Sequence, residues 1–126
     1  MAEQKENQNL PTFAQTVNLA IFQVGNTLAD LRKLAELEYG IGGEVEDVVY
    51  LLSTIIGGMK KNPPKTWNDF CELWCGIIGV ARVASRYFQV EGGYKCLLER
   101  LHQETEGFLD TLEILAANEE SEVAHA

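Results

Sequence analysis

The chain has 126 residues, 46% hydrophobic and 23% charged, which is enough for one globular domain with its own core. Nineteen acidic residues against ten basic ones give a formal net charge of −9, which disfavours nucleic acid and anionic lipid as partners. The stretches without charge are too polar or too short to cross a bilayer, so we expect no membrane partner.

The N-terminal segment MAEQKENQNL contains no apolar core of the kind that a secretory leader carries. The three cysteines are an odd number, which does not favour a framework of disulfides. We therefore expect a reduced, cytoplasmic location. The polar composition also predicts that residues 1–11 form a disordered tail.

A long first helix is predicted to start at Thr12, because Thr12 and Gln15 have the spacing of a capping box. Apolar residues then recur at steps of three and four and form one stripe: Phe13, Val17, Ala20, Ile21, Val24, Leu28, Leu31 and Ala35. Gly25 lies inside this pattern and suggests a close helix crossing, because glycine is a poor helix former. The glycines at 40, 42 and 43 end the helix.

A second helix is predicted from Glu44 to Met59, after which the two prolines of KKNPPK impose an extended connector. The third helix starts at a second capping pair, Thr66 and Asp69. Its apolar stripe runs to Phe88, where the next glycine pair interrupts it.

A fourth helix carries apolar residues from Tyr94 to Leu115. Short connections between successive helices favour antiparallel neighbours, and no sustained strand pattern is present. The sequence therefore predicts an all-α fold: a four-helix bundle built from two antiparallel helical hairpins, in one domain spanning residues 12–118. The acidic residues 119–126 are predicted to be a frayed tail.

Three carboxylates, Glu44, Glu46 and Asp47, stand at the start of the second helix. A helix N-terminus favours negative charge, so capping alone accounts for them. Alternatively, the E-x-x-D spacing of Glu44 and Asp47 places two carboxylates on one helix face, within reach of one hard cation. This segment and the VVYLL that follows resemble the all-α nucleotide pyrophosphohydrolases of the MazG type.

That family pairs an E-E-x-x-E on one helix with an E-x-x-D on the next around Mg²⁺. The resemblance implies a Mg²⁺-dependent nucleotide pyrophosphohydrolase with Glu36, Glu44 and Asp47 as its catalytic carboxylates. The chain departs from the family pattern in the first helix, where AELEYG supplies only Glu36 and Glu38.

Arg82 and Arg86 are one turn apart on the third helix and can clamp a phosphate or a carboxylate. One hypothesis is an anion site, as in a sponge or sensor for a small ligand such as a nucleotide. The alternative is that these arginines pair with Glu72, Glu91 or the acidic fourth helix.

Cys71 and Cys75 are also one turn apart, in a segment rich in aromatic residues, and we interpret them as buried free thiols. A zinc site with Cys96 and His102 is not favoured, because six residues separate those two by about 120° around a helix. We therefore expect no metal ligands and no resident cofactor apart from the Mg²⁺ alternative above.

Small residues on the third helix include Gly76 and Gly79, close to Trp74. Repeated glycine in a helix indicates close approach of another backbone, either from within the chain or from a second subunit. This pattern predicts a possible homodimer interface at Trp74, Gly76 and Gly79.

The favoured hypothesis is a small acidic, non-catalytic protein that acts through protein–protein interaction, as an inhibitor, adaptor or accessory factor of bacterial or phage type. No arrangement of residues typical of nucleophilic catalysis is present. The predicted contact surface is the acidic fourth helix between Glu99 and Glu113, with Glu104, Glu106 and Asp110 facing a partner with a basic surface.

Overall fold

The fold is described by a computed structural model for residues 11–37, 42–87 and 92–125, without the side chains at 35, 42, 44, 87 and 121–125. Within that part, 92% of the residues are helical and none forms a β-strand. The all-α prediction is confirmed. Most of the predicted disordered tail, residues 1–10, lies outside the described residues.

Four helices follow one another along the chain: α1 (Phe13–Leu37), α2 (Gly42–Lys61), α3 (Trp67–Tyr87) and α4 (Gly93–His125). Helix α1 packs against α2 and α4, and α4 also packs against α3, whereas α2 and α3 meet over a smaller area. This arrangement is a four-helix bundle, as the sequence predicts. None of the four helices is long and apolar enough over its described residues to span a bilayer.

Two contacts at opposite ends of the bundle fix the antiparallel packing of α1 and α4. The backbone N–H of Phe13, at the start of α1, donates to Glu119 Oε1 near the end of α4 at 3.1 Å. At the other end, a Cβ on Gly93 would lie 2.8 Å from Leu34 Cδ2, so the first turn of α4 lies directly on the last turns of α1.

The predicted stripe on α1 forms one wall of the core. Its seven members with described side chains are all buried: Phe13, Val17, Ala20, Ile21, Val24, Leu28 and Leu31. Facing them, the rings of Phe70 and Trp74 stack with centroids 5.0 Å apart. The 3.6-residue period is thus realised as burial, which accounts for the confirmed fold.

Both predicted helix starts carry the expected hydrogen bonds. The Thr12 N–H donates to Gln15 Oε1 at 2.9 Å, and the Gln15 N–H donates to Thr12 Oγ1 at 3.1 Å, so the capping box is complete. At α3, the Asp69 N–H donates to Thr66 Oγ1 at 3.1 Å. Before α4, Gly92 adopts a φ of 65°, a left-handed conformation that favours glycine.

Two further sequence expectations concern Gly25 and the chain end. A Cβ on Gly25 would meet Lys60 Nζ at 3.6 Å and Ile56 Cγ2 at 3.7 Å, which are ordinary contacts where α1 crosses α2. Helix α4 continues through the predicted boundary at residue 118 to His125. Fraying of residues 119–126 stays a prediction.

Candidate binding surfaces

The predicted acidic triad of α4 lies on different sides of the helix. Glu104 faces α1, where its Oε1 accepts a hydrogen bond from Thr27 Oγ1 at 2.5 Å. The same oxygen is 3.4 Å from Arg100 Nε, and the Glu104 side chain is only 18% exposed. The charge of Glu104 is therefore compensated by Arg100, and its side chain is largely covered by its own chain.

Glu106 faces the opposite neighbour, because residues two apart differ by about 200° around a helix. Its Oε1 accepts from Arg82 Nη2 and lies against His102 Nε2, each at 2.9 Å. The hydrogen bond from Arg82, followed by that from His102, lowers the pKa of the Glu106 carboxyl below its ordinary value. Arg82 thus pairs with the acidic fourth helix, one of the alternatives that the sequence left open.

An acidic surface remains on the outward side of α4, in which Glu99 lies three turns before Asp110. Its four members recur at steps compatible with one helix face, and all four are exposed: Glu99, Asp110, Glu113 and Glu120. None of them forms an ion pair with a residue whose side chain is described. We call these four residues the outer α4 face. Asp110 belongs to it. Glu106 lies on the same side of the helix but is paired with Arg82, and Glu104 points to another side.

A groove of about 590 Å³ runs along the outside of α1 and α2 and brings several predicted carboxylates together. Its lining is mixed, with charged, hydroxyl and aromatic side chains: Arg32, Glu36, Glu46, Asp47, Val49, Tyr50, Ser53 and Thr54. Glu36 pairs with Arg32 at 3.7 Å, and both side chains are well exposed. Glu36 and Asp47, two of the three predicted catalytic carboxylates, therefore line the same groove.

The donors of a complete metal site are not all described. Among the described residues, no group of three or more His, Cys, Asp or Glu side chains is arranged to hold a metal ion. The side chain of Glu44, the third predicted catalytic carboxylate, lies outside the described part. Mg²⁺ retains several waters and needs only one or two protein carboxylates beside substrate phosphates, so the groove fits the metal only as such an open site.

Tyr50 is one of the groove residues that sequence reasoning missed. The residue is 77% exposed, although its neighbours in the sequence VVYLL are apolar. Position 50 is on the side of α2 opposite the buried Leu52 and Ile56, and helical spacing alone predicts that orientation.

The two predicted anion-binding arginines differ in their contacts. Arg82 is engaged by Glu106, whereas Arg86 forms no ion pair with any residue that the structure describes. Glu91, which the sequence offered as a partner, lies outside the described residues. The structure therefore does not bring the two guanidinium groups together at one anion site.

The α3 residues predicted for a homodimer interface also differ from one another. Trp74 is fully buried, and its Nε1 donates to the backbone oxygen of Thr105 at 2.8 Å, so it is inaccessible to a second subunit. Gly76 is exposed and Gly79 half-buried, and a Cβ on either would meet nothing within 4 Å. Among the described residues, no helix packs closely on these glycines, and the homodimer interface stays a prediction.

The cysteines are more accessible than the sequence suggested. Cys71 is half-buried, while Cys75 and Cys96 are exposed. The prediction of a buried thiol is wrong for Cys75, because Trp74 occupies the inward position and the next residue turns outward. Burial, then the neighbouring Cys75 and its hydrogen bond, then the charge of Glu113 raise the pKa of the Cys71 thiol.

No family of proteins, curated protein or solved structure matches this chain.

Proposed function

We propose that this protein acts by binding a partner protein with a basic surface, and that the outer α4 face is its contact surface. The observation that carries this proposal is a set of four exposed carboxylates on one side of α4 that form no ion pair with a described side chain: Glu99, Asp110, Glu113 and Glu120. Exposed charges of one sign steer association with oppositely charged surfaces and make it dependent on salt.

The intramolecular pairs of α4 define which acids contribute to this surface. Glu104 interacts with Arg100, and Glu106 interacts with Arg82. The negative charges of these two acids are therefore partly compensated within the bundle. Residues of the outer α4 face have no such compensation from a described side chain. The contact surface we propose therefore keeps Asp110 from the predicted triad and adds Glu113, one turn further along α4, and Glu99, three turns earlier.

A charge-reversal experiment tests the surface. The double variant Asp110→Lys, Glu113→Lys is compared with Asp30→Lys, Glu72→Lys, which makes the same change in net charge at exposed positions of α1 and α3. The probe is a fluorescent oligolysine peptide, a defined substitute for a basic protein surface, and its binding is followed by anisotropy from low to high salt. We expect the α4 pair to weaken binding far more than the control pair at low salt.

Equal loss in the two double variants would reduce the effect to net charge and overturn the proposed surface. Binding that ignores salt would contradict it as well, because interactions between exposed charges are screened over about 8 Å at physiological ionic strength.

A second candidate function is supported by the groove between α1 and α2. It collects Glu36, Glu46 and Asp47 in a volume of about 590 Å³, within the usual size range of small-ligand sites. In a Mg²⁺-dependent nucleotide pyrophosphohydrolase, one or two of these carboxylates would hold the ion, and the ion would neutralise charge on the substrate phosphates.

Pyrophosphate release from each nucleoside triphosphate, with and without Mg²⁺, tests this second candidate. Asp47→Asn and Glu36→Gln are expected to abolish the release, while the control Glu72→Gln on α3 leaves it unchanged. A wild-type protein that is inactive on all triphosphates would remove the pyrophosphohydrolase hypothesis and leave the binding proposal intact.

A further inference from the structure

The seam between α3 and α4 carries a pair of thiols that no function discussed so far uses. Cys71 and Cys75 are separated by one helical turn, so both side chains lie on the same side of α3. Cys75 is exposed and Cys71 half-buried, so the pair is open to a ligand from solvent. The third cysteine, Cys96, is on α4 and has no neighbouring cysteine in the sequence.

The spacing within the pair disfavours a direct disulfide. Residues four apart on a helix have Cβ atoms about 5–6 Å apart. A disulfide needs Cβ atoms at about 3.5–4.5 Å, so closing one here would distort the helix. An atom held between the two sulfurs removes that constraint, because two metal–sulfur bonds span a longer gap than one sulfur–sulfur bond.

We propose that Cys71 and Cys75 together bind one soft, thiophilic metal ion, represented by Cu⁺. Thiolates select Cu⁺ over harder ions, and Cu⁺ is satisfied by two sulfur ligands. A structural zinc site needs four ligands, and the described residues offer no group of three or more metal-binding side chains. On binding, each thiol releases one proton and forms one sulfur–copper bond, and neither copper nor sulfur changes oxidation state.

A competition assay tests this site independently of both proposed functions. The reduced protein is titrated anaerobically into the coloured complex of Cu⁺ with bathocuproine disulfonate, and loss of colour reports transfer of the ion. We expect the wild type to withdraw one Cu⁺ per chain and Cys96→Ser to do the same. Cys71→Ser and Cys75→Ala are each expected to lose this competition.

The exposed position of Cys75 makes Cys75→Ala a variant that retains the fold, which circular dichroism and the melting temperature verify. Undiminished transfer to Cys75→Ala would overturn the proposal. Loss of transfer in Cys96→Ser, or a species with one copper shared by two chains in native mass spectrometry, would overturn it too, because the ion would then be held elsewhere.

Discussion

The indole Nε1 of Trp74 donates a hydrogen bond to the backbone oxygen of Thr105 at 2.8 Å, which ties α3 to the middle of α4. Trp74 is fully buried, so its ring packs in the core while its one polar atom is satisfied. We expect Trp74→Phe to lower the free energy of unfolding by about 2 kcal/mol, from the lost hydrogen bond and the smaller ring. Urea denaturation followed by circular dichroism measures the change.

Trp67→Phe is the matched control for this substitution. Trp67 is half-buried, stacks on Phe70 at 6.1 Å and makes no hydrogen bond through its indole to any residue that the structure describes. Its replacement is expected to cost less than about 1 kcal/mol, since less area is buried and no hydrogen bond is lost. A control as costly as Trp74→Phe would show that the hydrogen bond to Thr105 contributes little.

Glu106 makes part of the stability depend on pH. Arg82 and His102 hydrogen-bond to its carboxylate and lower its pKa, so the folded state favours the ionised form. The resulting stabilisation is present above the unfolded pKa of about 4.3 and is lost as the pH falls through the lower folded value. We expect Glu106→Gln to melt below the wild type at pH 7, and the difference in melting temperature to shrink as the pH is lowered from neutral to pH 3.

Asp110→Asn, one turn further along α4, is the control for Glu106→Gln. Asp110 is exposed and forms no ion pair with a described residue, so its replacement should change the melting temperature little at either pH. A gap between wild type and Glu106→Gln that persists undiminished at pH 3 would assign the loss to packing rather than to charge.

Helical periodicity was sufficient to predict the fold. In α1, seven stripe residues from Phe13 to Leu31 are buried. A 3.6-residue repeat places apolar side chains on one face of a helix, and that face is removed from water by packing against other helices. The capping box at Thr12 and Gln15 was equally predictable, because its hydrogen bonds join residues three apart.

The partners of polar side chains were not predictable in the same way. Glu104 and Glu106 are similar in sequence, yet one is bound to Thr27 and the other to Arg82, residues far away along the chain. Which side of α4 meets α1 and which meets α3 depends on the packing of the whole bundle. A sequence pattern places carboxylates on a helix, but it cannot say which of them another helix will neutralise.

Glu119 is expected to hold the start of α1 against the last turns of α4. Its Oε1 accepts the otherwise unpaired N–H of Phe13, which joins the first residue of α1 to the last turns of α4. We expect Glu119→Ala to cost about 1 kcal/mol and to speed amide hydrogen exchange at Phe13 and after residue 118. Hydrogen-exchange mass spectrometry of the terminal peptides reports both effects.

Glu120→Ala supplies the comparison for this effect, because Glu120 is the next exposed acid and makes no hydrogen bond with a described residue. Exchange that rises equally in both variants would indicate that the end of α4 frays whether or not Glu119 is present.

Gly92 is expected to resist substitution for a conformational reason. Its φ of 65° is left-handed, and nothing within 4 Å would obstruct a Cβ, so any cost comes from the backbone alone. We expect Gly92→Ala to destabilise the fold by about 1 kcal/mol. Gly92→Asn should cost less, because asparagine tolerates this conformation. Equal losses for alanine and asparagine would contradict the backbone explanation.

Substitution of Gly76 and Gly79 by alanine is expected to have the opposite effect, a gain in stability, in an isolated chain. A Cβ at either position on α3 would enter open space, so alanine should stabilise the helix by about 0.5–1 kcal/mol through its lower backbone entropy in the unfolded state. A second subunit packed on these glycines would reverse the sign, because the added methyl groups would separate the two backbones. Unfolding of Gly76→Ala, Gly79→Ala at low and high protein concentration, together with sedimentation equilibrium, distinguishes the cases. Stabilisation that is independent of concentration excludes a homodimer through this surface, whereas a weaker dimer with alanine at both positions supports one.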